Sequence, residues 1–150
     1  MASDRSHEQA NDRERARLVA LSNRPASDLG RDVGGGWTVA VAVAHVAFWD
    51  RFAHERLKVW LRDGTFVPVS LPLIETLNEA LLPQWLALPP GVVARDFLQA
   101  TEALDREISG LSDDVIERYR AALAPGQAPL FLDRSKHRDE HVRQIEAVIG

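Results

Sequence analysis

Two histidines near the end of the chain have the spacing of a metal-binding pair. His137 and His141 lie four residues apart in a segment with helical periodicity. Residues four apart on an α-helix lie one turn apart on nearly the same side, so the two imidazoles point the same way. Two neutral imidazoles can bind a transition metal, but such a site needs at least one further ligand. The same spacing also fits one partly buried and one solvated histidine with no metal role.

A third histidine lies on the inward face of an earlier helix. Four residues of this face follow the spacing i, i+3, i+4 and i+7: His45, Phe48, Trp49 and Phe52. This period predicts an amphipathic helix that buries the stripe. A lone histidine on such a face is more often structural, but together with the later pair it suggests a cluster of three. His54 falls on the opposite face of the same helix, and His7 is expected to lie elsewhere.

The elements that position these residues are helices. Apolar periodicity predicts four main helices at 4–24, 38–62, 91–109 and 130–149, with shorter ones at 74–86 and 112–123. Thr38 is the expected N-cap of the second helix, and Asp63-Gly64 its stop signal. The β-branched residues at 39–44 leave a strand interpretation open. The sequence therefore predicts a single all-α domain over 1–150, folded as a four-helix bundle.

Two connections interrupt the helical pattern. Gly34-Gly35-Gly36 lacks the spacing of a phosphate-binding loop, so we expect a hinge-like connection. Residues 63–90 contain five prolines and predict a long crossover between the second and third main helices, with its short helix ending near Pro83 or soon after. A crossover of this length allows the flanking helices to run parallel. Large apolar side chains near it predict either a patch for a homodimer or a cover for the bundle end: Trp60, Phe66 and Trp85.

The composition narrows the function classes. The chain has 150 residues and a formal net charge of −4, which gives no basic footprint for nucleic acid. It has no apolar run of roughly 20 residues, so no membrane span is expected. The polar start is unlike a secretory signal peptide, and a cytoplasmic location follows as the expectation. Because the chain has no cysteine, any thiol chemistry needs an exogenous low-molecular-weight thiol.

The order of these motifs resembles the DinB-like family. Its signature is seen in Trp37-Thr38, in His45-Val46-Ala47-Phe48-Trp49-Asp50 and in the H-x-x-x-H of the last helix. The resemblance spans nearly the whole chain, although the first helix and the crossover match poorly. The superfamily includes mycothiol-dependent maleylpyruvate isomerases and related thiol-dependent transferases. The resemblance implies a four-helix bundle in which His45, His137 and His141 hold a divalent ion, nickel or zinc.

Three neutral imidazoles leave open coordination positions, as in catalytic metal sites. Water or a bound thiol would become a nucleophile there. The expected function is a metal-dependent enzyme acting on a small molecule, either a hydrolase or a thiol-dependent transferase or isomerase. The alternative is a non-catalytic protein that sequesters a ligand.

Several side chains are candidates to support this chemistry. Asp133 and Glu140 are the candidate catalytic residues, since a carboxylate can hold a ligand ring or move a proton. Both also fit the simpler interpretation of solvated helix carboxylates. An anionic thiol would need cations at the pocket mouth, for which the candidates are Arg134, Lys136 and Arg138. Trp49 and Phe48 are expected to wall the cavity or to pack in the core.

Overall fold

The computed structural model describes residues 2–127 and 131–150. In these residues the chain forms, in order, α1 (Ser6–Ser22), α2 (Ala26–Leu29), β1 (Asp32–Gly34), β2 (Trp37–Thr38), α3 (Val39–Asp63), α4 (Leu71–Ala87), α5 (Pro90–Ser109), α6 (Asp113–Ala122) and α7 (Ser135–Ile149). The predominantly helical fold confirms the all-α prediction. Among the helices described, none has both the length and the apolar character that a membrane crossing requires.

Helix α3 is the central element, and its ends follow the predicted signals. The Thr38 side chain accepts a hydrogen bond from the Val41 amide at 3.1 Å, as an N-cap does. Gly64 ends the helix in the left-handed region with φ 75°. The strand interpretation of residues 39–44 is wrong. The valines there belong to the first turns of a helix in which residues 41–47 are all buried, and packing there outweighs the preference of β-branched residues for strands.

Helices α1, α3, α5 and α7 pack around a common interior. Val93 and Phe97, early in α5, pack with the first turns of α3, whereas Leu104, late in α5, packs with Leu57. Early residues therefore meet early residues, and α3 and α5 run parallel. Residues 63–90, which contain α4, connect them.

Helix α4 is longer than predicted. It runs for 17 residues and contains Pro83, which does not end it. The proline is exposed, so its ring lies on the solvent side, and α4 is anchored by the buried Trp85 and capped by Ser70. Trp60 and Trp85 are both buried, which confirms that they cover the bundle. The homodimer stays a prediction, but the two buried tryptophans do not form its exposed patch.

The connection between α1 and α3 is more ordered than a hinge. Strands β1 and β2 pair antiparallel, with Gly34 opposite Trp37. Gly35 and Gly36 have φ of 65° and 81°, so this two-residue turn has the positive angles that tight hairpins favour and that glycine adopts without strain. The ribbon fixes the position of Trp37.

Helix α7 starts later than predicted. The expected start at Leu130 lies outside the described residues, and residues 131–134 precede the helix, which begins at Ser135. The Asp133 carboxylate accepts hydrogen bonds from the Ser135 amide at 3.0 Å and from its hydroxyl at 2.6 Å. Such local bonds compete with helical pairing, which explains why the helix does not extend back through Asp133.

Candidate metal centre

His45 of α3 meets His137 and His141 of α7 inside the bundle. The three residues, here called the histidine cluster, each offer one ligand atom, and these atoms lie within 4.8 Å of one another. The Nε2 atoms of His45 and His137 are 3.1 Å apart. Two nitrogens bound to one tetrahedral ion at 2.0–2.1 Å would be about 3.3 Å apart. The donor set and its spacing therefore fit a divalent transition metal.

A neighbouring side chain orients His141. Its Nδ1–H donates to the Gln144 carbonyl oxygen at 2.8 Å, one turn further along α7. Because an amide oxygen only accepts, this bond leaves the His141 Nε2 lone pair available. Metal-bound histidines commonly hold their second nitrogen in this way.

Aromatic packing orients His45 instead. Its ring centroid is 4.7 Å from that of Trp37 and 5.6 Å from that of Trp85. Its Nδ1 is buried and has no hydrogen-bond partner among the described residues. Trp37 also stacks on His141, with centroids 6.2 Å apart and planes 16° apart. The small ribbon thus closes one side of the histidine cluster.

The surroundings keep the three rings neutral, as metal ligation requires. Burial lowers the pKa of His45 to about 3 and, together with the positive charge of Arg134, lowers the pKa of His137 to about 2. Burial also lowers the pKa of His141. His7 and His54 stay outside this cluster, as predicted.

A second group of buried polar residues crosses the bundle beside the cluster. We call it the ion-pair layer, and its members are Asn11, Asp50, Asp105, Arg134 and Arg138. Arg138 is fully buried, donates to both Asp105 oxygens at 2.8 and 2.9 Å, and donates to Asp50 at 2.9 Å. Arg134 donates to the other Asp50 oxygen at 2.8 Å. Arg15 pairs with Asp105 from the edge.

The ion-pair layer corrects the expectation for Arg138. This side chain is not at a pocket mouth, because its position on α7, about 100° round from His137, faces the bundle interior. Lys136 is exposed and does not line the cavity, whereas Arg134 does. Of the three predicted cations, the structure therefore brings only Arg134 to the site.

The ion-pair layer also fixes the segment that leads into α7. Asn11 accepts from the Arg134 amide at 2.8 Å and donates to the Leu132 carbonyl at 2.8 Å. Arg138 donates to the Asn11 carbonyl at 2.9 Å. Arg134 Nη2 lies 3.4 Å from His137 Nδ1, so the layer contacts the histidine cluster directly.

The histidine cluster lies in the wall of a cavity of about 780 Å³. Its wall is mainly aromatic and apolar and includes Trp37, Trp49, Phe52, Phe66, Val67, Pro68, Val69 and Ile74. The expected wall residue Trp49 is present, and its indole donates to Asn78 at 2.9 Å. Phe48 instead packs against Trp49 and Trp85, at the side of the hydrophobic core.

The two predicted catalytic carboxylates have different positions. Glu140 is exposed and borders both the cavity and a smaller cleft formed by His141 and the glycine turn. Asp133 borders a separate cleft beside His7 and Arg120. The structure therefore brings Glu140 to the site and places Asp133 away from it.

Sequence reasoning missed four residues that complete the site: Asp50, Arg56, Asp105 and Gln144. Two of them carried a readable signal. Arg56 is eleven residues after His45, which is about 20° round the same helix, and Gln144 is three residues after His141. For Asp105, an acidic residue on a polar stretch of α5, the sequence offers no comparable signal.

Comparison of the chain with known protein families, with curated proteins and with solved structures gave no significant match.

Proposed function

We propose that the protein is a metal-dependent enzyme that acts on a small organic molecule and that it is a distant member of the DinB-like superfamily. The observation that carries the proposal is the convergence of three neutral imidazoles, with ligand atoms within 4.8 Å, on a cavity of about 780 Å³. Cavities of this size are typical of small-molecule sites. A closed structural zinc site would use four protein ligands, whereas three leave room for a reactant.

The helix order supports the family proposal. His45 comes from α3, the pair His137 and His141 comes from α7, and a long crossover separates α3 from α5. Trp37, which belongs to the same family signature, contacts both helices of the cluster through His45 and His141.

When bound, nickel or zinc supplies Lewis acidity that makes water or an exogenous thiol nucleophilic near neutral pH. His45, His137 and His141 would hold the ion. The Glu140 carboxylate, which borders the cavity, would accept a proton from the water or thiol, or return a proton to the reacting molecule. Arg134, anchored by Asp50, lies beside His137 in the cavity wall. Trp49 and Phe52 exclude water from the deeper part of the cavity.

The test is an assay of zinc-loaded and nickel-loaded protein, purified without a histidine tag, against esters, amides and electrophiles. Each reaction is run with and without an added low-molecular-weight thiol. Turnover without thiol supports a hydrolase, and turnover only with thiol supports a transferase or isomerase. Retained metal with ligand binding but no turnover under either condition would instead support the sequestering protein.

A further inference from the structure

Arg56 is a cation in the cavity wall without an acidic partner. Its Nε–H donates to the Val67 carbonyl at 2.9 Å, and its guanidinium lies 4.8 Å from the ring centroid of Phe131. No carboxylate of the described residues lies within ion-pair distance, and the other residues of the chain, 1 and 128–130, have no acidic side chain. Other arginines of the interior, such as Arg138, do have acidic partners.

The electrostatics of this position favour an added anion. Arg56 is half-buried, and burial lowers the pKa of its guanidinium while the nearby Arg134 adds positive charge. A partly desolvated cation is stabilised when an anion supplies charge-assisted hydrogen bonds. The carboxylate among the cavity-lining residues, Glu140, belongs to α7 beside the histidine cluster.

Arg56 and the histidine cluster line one cavity at positions about three helical turns apart. His45 and Arg56 are eleven residues apart on α3, which places their backbones about 16 Å apart along the helix axis on the same face. Between them the cavity wall is formed by Trp49 and Phe52. A ligand that spans the two ends therefore needs an apolar middle.

We propose that Arg56 binds the carboxylate end of an elongated, apolar organic acid whose other end reaches the histidine cluster. The proposal rests on the proposed function for the reacting end of the molecule, while the carboxylate subsite stands on Arg56 and its surroundings. The guanidinium has five donors, of which Val67 takes one, so two parallel hydrogen bonds to a carboxylate are available. A lysine could not reproduce this fork.

Calorimetric titration of zinc-loaded, full-length protein tests the subsite. One series carries a hydroxamate, which chelates zinc, on a straight alkyl chain that ends either in a carboxylate or in the matching amide. A second pair, octanoate and octanamide, needs no metal. In the wild type the carboxylate should bind at least roughly tenfold more tightly than the amide in both series, as for a hydrogen bond to a charged group. An optimum in chain length should appear for the hydroxamates.

The variant Arg56→Gln should abolish this preference. The matched control is Arg51→Gln, which removes an exposed arginine paired with Asp96 at 2.8 Å and should keep the preference. Arg56→Lys covers the case in which the glutamine variant does not fold. It keeps the charge but should lose most of the preference because the fork is gone.

The outcomes separate this inference from the proposed function. Equal binding of octanoate and octanamide by the wild type, or a preference that survives in Arg56→Gln, overturns the carboxylate subsite. Hydroxamates that bind no better than octanoate contradict the metal site and leave the subsite result valid. A third series, with a thiol head in place of the hydroxamate, shows whether the bound carboxylate belongs to a thiol cofactor or to the substrate. If the preference for carboxylate over amide is larger with the thiol head than with the hydroxamate head, the carboxylate belongs to a thiol cofactor. If that preference is smaller, the carboxylate belongs to the substrate.

Discussion

Helices α3 and α7 contribute to both the histidine cluster and the ion-pair layer, and α1 and α5 add further residues to the layer, yet the chemistry of the two regions is opposite. In the ion-pair layer, two aspartates meet two arginines, and every carboxylate oxygen has a donor within 2.9 Å. In the histidine cluster, three rings turn their nitrogens toward one another, and His45 Nδ1 has no partner in the described part of the chain. The charges of the layer are paired within the protein, whereas the three ligand atoms of the cluster are grouped as a metal ion would need them.

The comparison shows how buried polar groups divide between structure and function. Paired charges such as Asp50 and Arg138 join α3 to α7 in the bundle interior. Neutral histidines have no opposite charge to pair with, so burial prevents their protonation and keeps their lone pairs available. The contact from Arg134 to His137 lets the first region orient the second.

Removing one ligand should break the histidine cluster without breaking the fold. We expect His141→Ala to lose most of the bound zinc, because two imidazoles hold an ion far more weakly than three. The matched control His54→Ala, which changes a histidine outside the cluster, should keep full occupancy. Elemental analysis after zinc loading and gel filtration measures this. Equal zinc content in the wild type and the His141 variant would show the assignment to be wrong.

Removing the central cation should break the ion-pair layer and with it the fold. Arg138→Met leaves Asp105 and Asp50 each short of a buried partner, so the free energy of unfolding should fall by about 3–5 kcal/mol. Urea denaturation with a chelator present gives the value free of metal effects. The Arg138→Lys variant keeps the charge but not the forked guanidinium. Its free energy of unfolding should lie between those of the wild type and Arg138→Met.

This result also sharpens the contrast between the regions. His141→Ala, measured in the same way, should cost much less unfolding free energy than Arg138→Met. If the two variants were equally stable, the division into a functional and a structural region would fail.

The two predicted catalytic carboxylates should differ in effect. Glu140→Gln should lower kcat on the best substrate of the assay by roughly a hundredfold, the lower end for a general acid or base, with zinc content unchanged. Asp133→Asn should have little effect on kcat, because its carboxylate borders another cleft and accepts a hydrogen bond from the Ser135 amide. A larger loss from the Asp133 change than from the Glu140 change would reverse the assignment.

Acid should destabilise the chelator-treated protein through the histidine cluster. The pKa of His45 is lowered to about 3 and that of His137 to about 2, while the unfolded chain titrates near 6.5. The unfolded state therefore takes up more protons below pH 6.5, and stability falls as the pH drops from 6.5 toward 3. Each ring contributes at most about 1.4 kcal/mol per pH unit.

Urea unfolding at pH 6.5, 5.5 and 4.5 measures this slope. The double variant His45→Gln, His137→Gln should show a shallower dependence than the wild type. An unchanged slope would mean that these rings titrate normally in the folded protein.

Local features of the fold were predictable because neighbouring residues decide them. The Thr38 cap and the Gly64 stop each depend on contacts within a few residues. Amphipathic periodicity likewise placed the inward stripe of α3. Helix α4 begins at Leu71, three residues before the predicted start, and ends at Ala87, soon after Pro83 as predicted.

The site residues divide along the same line. The spacing of His137 and His141 determines that they face one way, so the sequence identified this pair by itself. The burial of Arg138 could not be read from its neighbours, Lys136 to Asp139, since a charge run usually marks a solvated face. Its partners Asp50 and Asp105 are 88 and 33 residues away.

The sequence by itself determined which residues share a helix face, because 3.6 residues per turn fixes their angles without reference to the rest of the chain. It thereby determined the inward direction of His45 and the alignment of His137 with His141. Only the tertiary structure decided that these two faces meet, that Asp133 lies at a different cleft, and that Arg56 enters the same cavity as the histidines. Those outcomes depend on the parallel packing of α3 against α5 and on charge pairing between distant helices, which short-range spacing does not encode.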